Sequence, residues 1–296
     1  MGTQQLVDQF TEADVERYRK DGYVMGGKVI SDETVSELRS AMDELTSSPV
    51  PDGMIYVDLM ERATEPTKAT FDYFTFLWKV REEFRKVAFS PSLARMAAQL
   101  LETDKVVLFG DSLFIKQART GGSLHYHQDV MAWPLDQPGG LTCWIALDEA
   151  TPENGSMVFA AGSNSLGQRL PVDSVTGETL YKGFVGGDRG ASEYGVEDLS
   201  ESGLKPMTTA ELEQFPHVST TYAPGEASFH STLVWHASGA NTADVPRRAF
   251  SIRYADGNRI WLGEKKAFYY FKDEEAGVDV GAPIGGPNFP PVWPAS

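Results

Sequence analysis

One cysteine, Cys143, among 296 residues leaves no partner for an internal disulfide and no thiolate cluster for structural zinc or an iron–sulfur centre. That usage suits a reducing cytosol. Basic residues are the second scarcity: 26 Lys and Arg stand against 42 Asp and Glu, a formal net charge of −16. Such a surface repels phosphate backbones and anionic bilayers, so neither nucleic acid nor membrane is an expected partner. Long apolar runs are missing as well. Nothing approaches the roughly 18 consecutive apolar residues of a spanning helix. The opening MGTQQLVDQF has neither the basic start nor the apolar stretch of a secretory signal. Leu6 stands where a myristoylation motif after Gly2 needs Ser or Thr. The expected location is the cytoplasm.

What is present reads as an ordinary globular composition, 41% hydrophobic and 23% charged. The first hundred residues carry helical signals. A helix is expected over 11–21, with Thr11 as cap and Glu12 and Asp14 in its first turn. Another over 32–46 is capped by Ser31 and repeats Val35, Leu38, Met42 and Leu45 at spacings of three and four. A third is expected over 76–88, and a fourth opens with Ser90-Pro91. From Lys105 the pattern turns to strands: 106–109 and 112–116, separated by Gly110-Asp111, then the histidine-bearing run, 141–147, 157–160, 220–222, 226–235 and 248–254. Helices followed by short strands with Gly and Pro turns predict a mostly β fold with flanking helices, a jelly roll or double-stranded β-helix. With no internal repeat and no linker, one domain over 1–296 is expected. It divides into a mainly helical 1–104, a β core over 105–260 and a C-terminal extension over 261–296. Residues 163–216 interrupt the core as a polar, Gly-rich insertion, either a lid or a surface excursion. The Gly- and Pro-rich tail 276–296 is expected to lie extended against the body.

Chemistry concentrates in 121–134, GGSLHYHQDVMAWP. Side chains two apart on a strand share a face, so His127 and Asp129 would project into one interior. A distant histidine added to such a pair makes the two-histidine, one-carboxylate set of non-haem Fe(II) oxygenases. The five histidines stand at 125, 127, 217, 230 and 236. His125 shares parity with His127, and His230 with His236 along what reads as an unbroken strand, so spacing yields a face and not a unique triad. Histidines satisfied within a β core are the alternative.

HQDVMAWP, followed by LTCWIALDEATPENGSMVFAAGSNSLG and later by FHSTLVWHASGANTADVPRRAFSIRY, closely resembles the phytanoyl-CoA dioxygenase family of Fe(II)/2-oxoglutarate oxygenases. Together with DGYV at 21–24, the resemblance spans roughly residues 10–260. The sequence departs from the family pattern at Ala161-Gly162-Ser163-Asn164, where Pro and His are usual. The resemblance implies a jelly roll with His127, Asp129 and His236 as iron ligands, and with His125 and His230 outside the ligand set. It implies that Arg247, eleven residues after His236, grips the far carboxylate of 2-oxoglutarate. A guanidinium suits that task because it is planar, always charged and bidentate toward carboxylate. Arg248 is its neighbouring competitor, either a structural ion-pair partner or the true clamp. Ser238 is placed to add a hydroxyl to the same carboxylate. Gln128 and Trp144 occupy the family's pocket-lining positions, with a core aromatic the alternative for Trp144. Asn154-Gly155 reads first as a turn, and Trp133-Pro134 as a pocket wall or a strand end.

The implied cofactors are Fe(II), the cosubstrate 2-oxoglutarate and O2, and the implied reaction is oxidation, most simply hydroxylation, of a C–H bond in a small molecule. Asp129 disfavours halogenation, because related halogenases replace that carboxylate with a small residue. A non-catalytic jelly-roll binding protein is a second reading, although drift usually costs a ligand and this set is complete. A cupin-like metal hydrolase or isomerase is a third, but it gives Arg247 no evident task. The basic clusters are Lys265-Lys266 and Arg247-Arg248, a poor rim for the phosphates of a CoA ester. A specialised-metabolite intermediate with an apolar body is the expected substrate. Oligomeric state leaves no mark in the sequence.

Overall fold

The computed structural model describes residues 5–47, 49, 55–58, 72–119, 123–170, 204–263 and 276–294. Helix α1 (Glu12–Asp21) starts where the Thr11 hydroxyl accepts the Asp14 backbone N–H and the Asp14 carboxylate accepts that of Thr11. This reciprocal cap satisfies two otherwise orphaned donors. The helix stops at Gly22, whose φ of 79° suits glycine and whose added Cβ would meet Val234 and Asn164 at 2.8 Å. Helix α2 (Asp32–Thr46) is capped by Ser31 and buries Val35, Leu38, Ala41, Met42 and Leu45. Helices α3 (Glu82–Ala88) and α4 (Pro91–Leu101) follow, α4 with proline in its first turn, and the short α5 (Thr209–Leu212) comes much later. Among the described residues no helix is long and apolar enough to cross a membrane.

The strands are β1 (Tyr23–Lys28), β2 (Ile55–Asp58), β3 (Asp72–Thr75), β4 (Val106–Lys116), β5 (Leu124–His127) and β6 (Gly140–Ala146). After them come β7 (Met157–Ala160), β8 (His217–Ser219), β9 (Glu226–Ser231), β10 (His236–Ser238), β11 (Arg247–Asp256) and β12 (Pro291–Trp293). The larger sheet runs β1-β9-β6-β11-β4-β3-β2 with β12 on β4, and the smaller runs β5-β10-β7-β8. All their pairings are antiparallel.

Period-two alternation divides the central strands of the large sheet. Leu141, Cys143 and Ile145 of β6, Phe229 of β9, and Phe250, Ile252 and Tyr254 of β11 pack with Leu38, Phe84, Leu93 and Met96 of the helices. Each such side chain contributes about 1.5–3 kcal/mol when fully removed from water. The opposite face of the same strands buries Thr142 and Trp144 of β6, His230 of β9 and Arg247 of β11. The small sheet lies against that face, with the His230 and His236 ring centroids 4.5 Å apart.

Four local expectations change. The third helix is broken: Phe76 has a φ of 64°, Leu77–Lys79 form a 3-10 turn, and α3 begins only at Glu82. The cause is Asp111 on β4, whose buried Oδ2 accepts the Trp78 backbone N–H at 2.9 Å and ties the turn to the sheet. Strands 106–109 and 112–116 are one strand, because a register shift against Arg253/Tyr254 absorbs the Gly110 step. The run 226–235 is not one strand: β9 ends at Ser231, the Val234 N–H turns back to the Ser231 carbonyl, and β10 joins the other sheet. At 220–222 the strand lies earlier, at His217–Ser219, leaving Tyr222 an isolated bridge to Ala150. Of the tail, Pro291–Trp293 is extended as β12 and pairs against Val106 and Val107, while 276–290 is mostly turns and bends. Of the insertion, 163–170 and 204–216 are described, and 171–203, including the Gly-rich 183–195, lies outside the described residues.

Candidate metal centre

Strand β5 ends at His127, which pairs directly with His236 on β10. Asp129 then opens a 3-10 turn, Asp129–Ala132. Strand parity is therefore not what brings these groups together. His127 and His236 meet as cross-strand partners, and the turn swings the Asp129 carboxylate back between them. His127 Nε2 and His236 Nε2 each lie 3.6 Å from Asp129 Oδ1. The ligand atoms of all three residues lie within 4.8 Å of one another, so this group could hold a metal ion.

Local hydrogen bonds prepare the donors. His236 Nδ1 lies 3.1 Å from the Val234 carbonyl and donates to it, which leaves Nε2 as a bare lone pair facing Asp129. Burial pushes the His236 imidazole well below its usual range, so it stays neutral. For Asp129 burial acts in the opposite sense, raising the pKa, but the imidazoles of His236, His127 and His230 outweigh it and hold the carboxyl well below its usual range. The Thr142 hydroxyl donates to Asp129 Oδ2 at 2.8 Å. A neutral His236 imidazole beside an ionised carboxylate suits metal binding.

Two residues along the inward face of β6 from Thr142, Trp144 stands 5.4 Å from the Arg247 guanidinium carbon and 4.8 Å from the Tyr222 ring. Arg247 is 2% exposed. Its Nη2 donates to the Gly155 carbonyl at 2.9 Å, while its buried Nε has no hydrogen-bond partner. Burial lowers the guanidinium to about 10. Directly across from Arg247 in the β4–β11 register is Lys116, whose Nζ donates to the Ser238 and Gly239 carbonyls. Burial, reinforced by the charge of Arg247, pushes Lys116 down to about 6. Gly155 fits between them only without a side chain: its φ is 81°, and a Cβ would sit 2.5 Å from the Gly239 carbonyl and 3.0 Å from Lys116 Cδ.

The neighbouring Arg248 has a different task. Its Nε and Nη2 bind the two oxygens of Asp148 at 2.8 and 2.9 Å, and Nη1 reaches Asp43 at 3.2 Å. Gln128 is 1% exposed and its amide is engaged with backbone. Nε2 donates to the Gly167 and Leu233 carbonyls, and Oε1 accepts the Arg169 N–H. It thus joins the start of the insertion to the loop before His236. Ser238 is buried on β10. Trp133 stacks on Phe109 at 4.0 Å within an apolar cluster, and Asn241 serves its loop through the Lys116 and Val245 carbonyls. His217 bonds Tyr126 on the far side of β5. Thr142 and Lys116 were not singled out from the sequence, yet both are polar residues on strands rich in apolar ones, a signal that was available.

The phytanoyl-CoA dioxygenase (PhyH) family model matches residues 18–249. The phytanoyl-CoA dioxygenase domain-containing protein 1 of Danio rerio is 25% identical, aligned over 87% of this chain and 94% of its own length. Two solved structures share the fold. The non-haem, α-ketoglutarate-dependent carbocyclase SnoK from nogalamycin biosynthesis superposes with a TM-score of 0.70 at 21% identity, over 98% of this chain and 99% of that one. The epimerase SnoN, in complex with Fe3+, α-ketoglutarate and nogalamycin RO, gives 0.70 at 21%, over 95% and 98%. The two sheets of the present chain are accordingly the jelly roll expected from its strand pattern.

Proposed function

We propose, starting from the fact that this chain belongs to the phytanoyl-CoA dioxygenase family and is an Fe(II)/2-oxoglutarate-dependent dioxygenase, that it oxidises a C–H bond of a small specialised metabolite, most simply by hydroxylation. The observation that carries this reading is the convergence of His127, Asp129 and His236 within 4.8 Å on the inward face that also holds buried Arg247. The donor set fits the metal: two imidazoles and one carboxylate suit ferrous iron and leave positions for other ligands.

In this reading His127, Asp129 and His236 hold the iron. When bound, iron with 2-oxoglutarate and O2 supplies an oxidation in which one oxygen atom enters the substrate and the other enters succinate, with loss of CO2. The residues of the chain orient the reactants. Arg247 receives the distal carboxylate of 2-oxoglutarate, a counter-charge for a guanidinium that burial otherwise disfavours. Ser238 and Trp144 complete that end of the pocket. Gln128 contributes by fixing the loops on either side of the iron ligands. The jelly roll and its helices act as one cytoplasmic domain. The acidic chain favours a metabolite with an apolar body over a CoA ester, and SnoK and SnoN, whose names place them in nogalamycin biosynthesis, support a substrate of that kind.

The test is substrate-dependent conversion of 2-oxoglutarate to succinate by the Fe(II)-loaded protein. Asp129→Ala is expected to abolish it. Unchanged turnover in that variant rejects the assignment.

A further inference from the structure

His230 is the histidine that the three-ligand reading leaves without a task. It sits on β9 opposite Thr142 and is 1% exposed. Both its ring nitrogens are buried, and neither makes a hydrogen bond. Its neighbours are the Phe159 ring at 5.4 Å and the His236 ring at 4.5 Å. A buried polar group without a partner is destabilising, and a phenylalanine would fill this volume without that penalty. The imidazole therefore calls for a polar partner.

The nearest polar atom is Asp129 Oδ2, 3.5 Å from His230 Nε2. The carboxylate is thus divided. Oδ1 faces His127 and His236, while Oδ2 takes the Thr142 hydroxyl at 2.8 Å and faces His230. A shift of about 0.6 Å would turn the His230 approach into an ordinary hydrogen bond. We propose that His230 is a positioning residue of the metal centre: in the loaded protein its Nε2–H donates to Asp129 Oδ2 beside Thr142 and commits the carboxylate to bind the metal through Oδ1 alone. This rests on the reading that the triad holds the metal. Single-oxygen binding keeps a coordination position available for the chelating cosubstrate, and outer hydrogen bonds of this kind orient metal-bound carboxylates generally.

The experiment is an anaerobic titration of the full chain with Co(II), following the ligand-field absorption, alongside thermal melting of the metal-free protein. His230→Phe keeps the volume and removes the donor, whereas His230→Gln keeps a donor. His230→Phe is expected to raise the Co(II) Kd about 10-fold, within the range for a lost outer partner, and to change the Co(II) spectrum. Its metal-free melting temperature should equal or exceed that of the unaltered protein. His230→Gln should recover most of the affinity. Equal Kd and spectrum for the unaltered protein and His230→Phe overturn the proposal, as does equal weakening in both variants with lowered metal-free melting, which is the mark of packing alone. If Asp129→Ala binds Co(II) as the unaltered protein does, the triad reading itself fails, and this proposal with it.

Discussion

Replacing Arg247 by lysine tests the cosubstrate end of the pocket with the least disturbance, because a nitrogen donor on a side chain of similar length is kept. Arg247 is 2% exposed and stands beside Trp144, with one nitrogen on the Gly155 carbonyl and its Nε without a partner. A carboxylate arriving here meets a fork with unused donors. Lysine offers a point charge in place of the fork, so at least one charge-assisted hydrogen bond is lost, about 1.5–3 kcal/mol. That corresponds to a rise of about 10- to 150-fold in the Kd for 2-oxoglutarate. The assay is calorimetric titration of the Mn(II)-loaded protein with 2-oxoglutarate in the absence of oxygen. The neighbouring Arg248→Ala is the control. It severs the bonds to Asp148 and Asp43, half-buried contacts worth about 1 kcal/mol, or about 2 °C in Tm, and it should leave the Kd unchanged. If Arg247→Lys binds 2-oxoglutarate within twofold of the unaltered protein while Arg248→Ala loses it, the clamp has been assigned to the wrong arginine.

Three further outcomes are expected. Thr142→Val removes the donor to Asp129 Oδ2 at 2.8 Å and should weaken metal binding about 10-fold with little change in fold, read by Fe(II) titration and circular dichroism. Gly155→Ala forces a side chain onto a residue with φ 81° and into the Gly239 carbonyl at 2.5 Å. It should cost at least 1–3 kcal/mol of stability, roughly the strain of an unfavourable backbone, measured by denaturant unfolding. Asp111, raised by burial to about 7, stays protonated in the folded chain while the unfolded chain ionises near pH 4. It therefore withdraws stability as pH rises from about 4 to 7, by a few kcal/mol in all. The melting temperature of Asp111→Asn should gain on that of the unaltered protein across this window, and a constant difference between the two would contradict the linkage.

Much of the site was legible because its residue types are chemically restrictive. Spacing alone left His125 and His230 as competitors, and it was the family resemblance that singled out His127, Asp129 and His236, whereas the caps at Thr11 and Ser31 act within one turn of chain. What the sequence could not convey is where strands break. Parity along 226–235 treated His230 and His236 as one face of one strand, but the Ser231–Val234 turn sends them to different sheets. Parity also placed Asp129 beside His127 for the wrong reason, since a 3-10 turn delivers the carboxylate. The helix over 76–88 failed for a long-range cause, the hydrogen bond from Trp78 to Asp111 on β4, which no local propensity contains. Arg247 and Arg248 are adjacent in sequence, and their partners differ: Arg248 binds Asp148, while Arg247 is buried beside Trp144.

The most direct measurement is a crystal structure of the protein grown anaerobically with Mn(II) in place of iron and with 2-oxoglutarate. The account predicts one metal ion bound by Nε2 of His127, Nε2 of His236 and one oxygen of Asp129, with the distal carboxylate of 2-oxoglutarate on Arg247. A metal ion bound elsewhere, or one that engages His230 in place of His127 or His236, would contradict it.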